Sequence, residues 1–315
     1  MVETIIDEVP VGLLELELNE STFLRKSNKG GNELYVVDAH TAPNTMREIG
    51  RLRELAFRAG GGGTGLACDI DEFDTMTPPC RQLVVWDPEA RQIIGGYRFI
   101  LGKDIVTEAD GSPRIATAHL FRFSPEFMTD YLPYTIELGR SFVRVEAQAT
   151  RQSKAIFALD NLWDGLGALT VLHPEIKYLF GKVTMYPEYI TECRDMILYF
   201  LHKHFPDPDN LVTAIEPLVA QPDLKALAAE FPSGTDFKEG YKHLNKLIRE
   251  HGLNIPPLVN AYMNLSPTMK VFGTAINREF GDVEETGILI TIDEIFDEKK
   301  RRHIETFTAG ENLKN

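Results

Sequence analysis

The stretch YTIELGRSFVRVEA, residues 134–147, constrains the fold more than any other part of the chain. Ile136, Leu138, Phe142, Val143 and Val145 are good strand formers, so it reads as a β-strand. The same strand carries Glu137, Arg140 and Arg144. Charges inside a sheet are costly unless they are paired or used, so this strand predicts a charged site built into the sheet itself. Side chains alternate faces along a strand, which sends Glu137 and Arg140 to opposite sides. A β-bulge at Gly139, which lies between them, adds one residue and brings both to one side.

The flanking pattern supplies the rest of the sheet. A loosely organised lead-in over 1–35 precedes a strand over 34–40. A helix follows over 44–61, with Asn44 as cap, Met46, Ile49, Leu52 and Leu55 at helical spacing, and the glycines at 60–63 as terminator. CDIDEFD is an acidic turn, and 81–87 and 92–100 form a hairpin around PEAR. HLFRFSPEFMTDYL contains a short helix. After the charged strand come a helix over 151–174, a strand over 176–185 and an amphipathic helix over 187–205. An antiparallel start passing into a strand–helix–strand crossover predicts an α/β (α+β) fold with a mixed twisted sheet and flanking helices. Composition shifts at PDPDN, so we divide the chain into a core over 1–205, a helical insertion over 206–255, and a segment over 256–315 that completes the sheet within the same domain.

Charge and cysteine content exclude several classes. The 315 residues carry a formal charge of −14, a poor basis for nucleic-acid binding, which needs clustered Lys and Arg. Cys68, Cys80 and Cys193 form no CxxC pair and read as reduced thiols. No His/Cys/Asp grouping has metal-ligand spacing, so no metal is expected. The N-terminus is acidic without a long apolar stretch, and no run approaches the roughly 20 apolar residues of a membrane span. A cytoplasmic protein is expected, with peripheral contact to the inner membrane face left open. EKKRR near the C-terminus reads as a solvated run that can also touch anionic lipid. His173 reads as a helix-end residue, and His119 is placed where it can reach the site.

Two further features ask for partners. DIDEFD sets Asp71 and Asp74 three apart, and GGYRFI puts Arg98 in a strand behind two glycines. Arg53 lies in the first long helix, in RLRELAF. Acidic and basic groups of this kind can surround a small zwitterion. In their order, RLRELAF, DIDEFD, GGYRFI, ELGRSFV and IKYLFG resemble the acyl-transferring branch of the Gcn5-related N-acetyltransferase (GNAT) fold. The likeness covers about residues 44–185. Within that branch the chain is similar to bacterial amino-acid N-acyltransferases that begin ornithine- and glycine-lipid synthesis, and more distantly to acyl-homoserine-lactone synthases. The C-terminal PPLVNAYMNLSPTMKVFGTAINREFG resembles the lipid-forming members.

The resemblance implies transfer of a fatty acyl group, 3-hydroxylated in the lipid pathways, from acyl carrier protein to the α-amine of an amino acid. Glycine and ornithine types both stay open at this point. Glu137 is the candidate base, because burial raises a carboxyl pKa toward the working range. Arg140 either orients Glu137 or, like Arg98, holds an oxyanion with its planar fork. By resemblance Asp71 and Asp74 shape the acceptor pocket, with Arg53 as an internal partner, and Phe57 lines the acyl pocket or simply packs. A backbone N–H at Phe142 or Val143 is the expected oxyanion donor.

One departure matters. The glycine-rich loop with which GNAT acetyltransferases cradle a pyrophosphate is here RVEAQATRQSKAIF, without glycine but with Arg144, Arg151 and Lys154. No tightly bound cofactor is expected. A carrier protein, whose phosphopantetheine has one phosphate, suits this loop better than acyl-CoA. Two alternatives remain at this level. A lactone synthase fits less well, given about 100 extra C-terminal residues and no Trp in AGGGGTGLACDIDEFD. A catalytically silent acyl-carrier or lipid-binding module is favoured by the missing glycines and disfavoured by Glu137 and Arg140. Some family members bear a haemolysin-like label, but no amphipathic pore-forming segment is present.

Overall fold

The computed structural model describes residues 2–145, 157–219 and 223–308. Its centre is a sheet of eight strands: β1 (Phe23–Lys26), β2 (Glu33–Val37), β3 (Arg81–Asp87), β4 (Gln92–Leu101), β6 (Thr135–Val143), β7 (Tyr178–Met185), β10 (Val283–Thr291) and β9 (Lys270–Asn277), in that spatial order. Neighbours are antiparallel except β6 and β7, which run parallel. β5 (Phe121–Phe123) and β8 (Val212–Ala214) form a separate two-stranded sheet. The helices are α1 (Val11–Glu17), α2 (Pro43–Ala59), α3 (Glu72–Thr75), α4 (Ala158–Leu172), α5 (Thr191–His204), α6 (Leu224–Glu230), α7 (Phe237–Glu250), α8 (Pro257–Met263) and α9 (Asp297–His303). A parallel pair needs a crossover, and α4 supplies it between β6 and β7.

Strand parity splits the core in two. On one face Met46, Ile49, Leu52 and Phe57 of α2 pack with Val84 and Phe142. On the other, Leu162, Leu166 and Leu169 of α4 pack with Leu83, Val85, Leu138 and Leu179. The sheet is covered on both sides, which is why β3 is apolar almost throughout rather than alternating.

Several elements differ from the sequence reading for identifiable reasons. The lead-in contains α1 and β1, and the C-terminal segment adds β9 as well as the expected β10. Asn44 does not cap α2. The helix starts at Pro43, and Glu17 of α1 accepts from the backbone N–H groups of Asn44 (3.1 Å) and Thr45 (2.6 Å). The acidic turn is closed into α3 by a capping box between Asp71 and Asp74. Residues 206–255 hold α6 and α7 but also β8, whose partner β5 opens the segment read as containing a short helix, and that helix is present at Phe127–Tyr131.

β6 and β7 stay paired only from Thr135/Tyr178 to Leu138/Gly181. Beyond that point β6 follows β4 and β7 follows β10, so the sheet splays open. Gly181 sits at the apex, where a Cβ would meet the Leu138 carbonyl oxygen at 2.7 Å. The bulge is present one residue beyond Gly139. From Gly96 to Arg98 on β4, β6 advances from Phe142 to Gly139, one residue more, and Arg140 takes a left-handed φ of 51°.

Candidate active site

The bulge and the parity of β4 turn Arg140 and Arg98 toward the carboxylates under α2, where Arg53 of that helix joins them. Arg53 of α2 is fully buried and pairs with Asp74 at 3.1 Å. Arg98 of β4 reaches Asp71 at 2.6 Å and Asp74 at 3.4 Å. Arg140 reaches Asp69 at 3.0 Å and Asp71 at 3.4 Å, and its guanidinium carbon lies 4.4 Å from the centre of the Phe280 ring. Arg53, Arg98, Arg140, Asp71 and Asp74 therefore meet in one network, completed by Asp69, which the sequence reading passed over within the same acidic motif. Arg98 and Arg140 hold the Asp71 carboxyl well below the usual carboxylate range against the cost of its burial. Burial pushes Asp69 up, opposed chiefly by Arg140.

Glu137 stands apart from this balanced set. It is 1% exposed, and its Oε1 has no hydrogen-bond partner. Burial raises its pKa, opposed by the charges of Arg98 and Lys182. Arg140 is paired with Asp69 and Asp71 rather than with Glu137.

Past the apex, the splay forms a cleft of about 460 Å³ that penetrates the sheet. On the α2 face it is lined by Phe57, Arg140, Lys182, Thr184, Phe280 and Glu285. On the opposite face its walls are Leu159, Pro256, Pro257 and Leu258. Arg144 donates its backbone N–H to Ile94 of β4. Strand alternation therefore directs the Phe142 N–H to β4 and the Val143 N–H to the cleft edge. The Arg144 side chain contacts Glu8 at 3.2 Å. Arg151 and Lys154 lie outside the described residues.

Lys182 and Glu285 were missed from sequence. Their signal was the one used for Glu137, a charge in an apolar strand, but the partners are distant in the chain and β9 and β10 had to be placed first. Lys182 forms an ion pair with Glu285, which also accepts from Thr184 Oγ1 (3.2 Å) and Asn277 Nδ2 (3.1 Å). Burial lowers the Lys182 pKa, while Glu285 supports its charge.

Other candidates sit elsewhere. Burial pushes the Cys80 thiol up to about 12 and Cys68 up to about 11, so neither is a thiolate near neutrality. His119 is exposed beside Glu72 and Phe73, and His173 is the residue following α4. Among the described residues no group of His, Cys, Asp or Glu is placed to hold a metal, and no helix is long and apolar enough to cross a membrane.

Residues 52–158 match the acetyltransferase (GNAT) domain family. The chain is 61% identical over 306 residues to a glycine N(alpha)-acyltransferase of Bacteroides thetaiotaomicron, covering 97% of this chain and 90% of that protein. It is 59% identical over 306 residues to a glycine N(alpha)-acyltransferase of Phocaeicola vulgatus, covering 97% of this chain and 94% of that one. Among solved structures, the AHL synthase LasI aligns over 49% of this chain and 72% of its own at 13% identity and a TM-score of 0.31.

Proposed function

Because this chain is an acyltransferase belonging to the GNAT family of the two glycine N(alpha)-acyltransferases, we propose that it transfers a fatty acyl group from an acyl-carrier-protein thioester to the α-amine of glycine. The observation that carries the acceptor is the identity of about 60% along almost the whole chain to proteins of that activity.

The site chemistry fits. An α-ammonium cannot attack a thioester until it loses a proton. Glu137, kept without a counterion behind the splay, takes that proton, and its position outside the cleft wall favours transfer through one water. The freed amine adds to the thioester carbonyl. The developing oxyanion lies against the β6 backbone past the bulge, on the side of Val143 that faces the cleft edge rather than at Phe142, whose N–H is turned to β4. Collapse forms the amide as the adduct nitrogen gives up its second proton, which passes to the expelled phosphopantetheine thiolate, and Glu137 releases the first to solvent. The network of Arg53, Arg98, Asp71 and Asp74 holds β4, α2 and α3 in place around the base, and Arg140 and Phe57 bound the acceptor side, across the cleft from the apolar walls that face the acyl chain.

A carrier protein is favoured over coenzyme A by the glycine-free sequence that follows β6, with its Arg144, Arg151 and Lys154, and by α7. On that helix Lys238, Lys242, Lys246 and Arg249 are all exposed along one stripe, in a chain whose net charge is −14. Tyr241 of α7 donates to Asn260 of α8, so α7 packs on the helix whose first turn lines the cleft. The product is N-acylglycine, 3-hydroxylated when the donor is, and a second acyltransferase esterifying that hydroxyl completes a glycine lipid. An amphiphilic product of this kind suits an enzyme that works as a peripheral protein at the inner membrane face.

Mass spectrometry of lipids from a heterologous host tests the reading. A new N-acylglycine series is expected, absent with Glu137→Gln. An N-acylated amino acid other than glycine overturns the acceptor. Unchanged product with Glu137→Gln overturns the base.

A further inference from the structure

The activity requires something to hold the acceptor's α-carboxylate, and the arginines nearest the splay are already committed to carboxylates of the protein. Arg98 is matched by Asp71 and Asp74, and Arg140 by Asp69 and Asp71. Lys182 differs. It lines the cleft, and its ammonium has three donors, of which Glu285 takes one. Glu285 in turn accepts from Lys182, Thr184 and Asn277, which holds it as the anchor of Lys182 rather than as a ligand group.

Parity sets the relation to the base. Glu137 pairs with Phe180 across the parallel ladder, and Lys182 lies two residues further on β7, on the same face. On one face of the splay there is thus a cation with donors to spare beside a carboxylate with an unpartnered oxygen. That is the complement of an amino-acid zwitterion. Phe57 and Phe280, 5.0 Å apart between ring centres, wall the α2 side of the same space.

We infer that Lys182, positioned by Glu285, is the receptor for the α-carboxylate of the acceptor amino acid, and that this contact turns the α-amine toward Glu137. The inference rests on the acyltransferase reading above and adds the residue that selects an amino acid over a simple amine.

The test compares glycine with glycinamide as acceptors, using purified full-length enzyme and an acyl-carrier-protein thioester. The wild type is expected to prefer glycine. Lys182→Met is expected to raise KM for glycine roughly 10- to 100-fold, the usual worth of a charge-assisted contact, while KM for glycinamide and for the thioester stays put. Lys182→Arg is expected to restore much of the preference. Should Lys182→Met fold poorly with Glu285 stranded, Lys182→Met with Glu285→Gln removes the unpaired carboxylate and serves as the variant. Equal KM changes for both acceptors, or none, overturn the assignment. A wild type that acylates a different amino acid refutes glycine as acceptor but leaves this test intact, because that amino acid and its amide then replace the glycine pair.

Discussion

At the residue scale, Glu137 combines two properties that are usually separate. It is buried without a counterion of its own, and in the proposed reaction it is the group that takes the proton of the acceptor amine. The folded state favours its protonated form, so its pKa lies above the unfolded value. Stability from this group is then fully present below the ordinary carboxylate range and is lost as pH rises through the folded pKa. Glu137→Gln removes the penalty. We expect its Tm to exceed the wild type's by about 2–4 °C at pH 8 and by less at pH 5, measured by thermal unfolding. Catalysis runs the other way, since only the ionised carboxylate accepts a proton. kcat/KM is expected to climb with pH through a midpoint above the ordinary carboxylate value, and Glu137→Gln should lack that limb. A less stable glutamine variant counts against the buried charge, and an identical pH profile against the base.

At the element scale, the charged strand was the most legible part of the sequence. A glycine between a carboxylate and a guanidinium pointed to a bulge, and one is present at the next residue, because Arg140 rather than Gly139 takes the left-handed conformation. The acidic motif was legible as a partner for arginine, but its three carboxylates could not be allotted to three guanidinium groups without knowing how α2 and β4 cross. Lys182 and Glu285 were illegible because their meeting depends on β10 lying beside β7, a pairing spanning about a third of the chain. The α2 cap was misread for a similar reason, since Glu17 reaches it from another helix. The basic stripe of α7 gives a prediction of its own. Lys242→Glu with Lys246→Glu is expected to raise KM for an acyl-carrier-protein thioester at least about tenfold, more so at low salt, and to leave KM for a short acyl-pantetheine thioester unchanged. Equal effects on both donors refute the docking face.

At the scale of the whole molecule, the mixed sheet was readable from strand and helix order, whereas its full width was not. β1 and β9 lie at its two edges and carry weak local signals. The splay itself needs both β6 and β7 to find other partners, and β7 finds β10 from the far end of the chain. The opening between them leads through the sheet, with polar walls toward α2 and apolar walls toward α4 and α8. Two substrates that approach from opposite sides of a sheet do not queue for a common doorway. Neither has to leave before the other arrives, and no thiolate stands in the passage to store the acyl group between visits. Initial-rate measurements over both concentrations should therefore give intersecting double-reciprocal lines, the pattern of a ternary complex. Parallel lines, the mark of a two-stroke exchange through an acyl-enzyme, would mean that the opening is used from one side only.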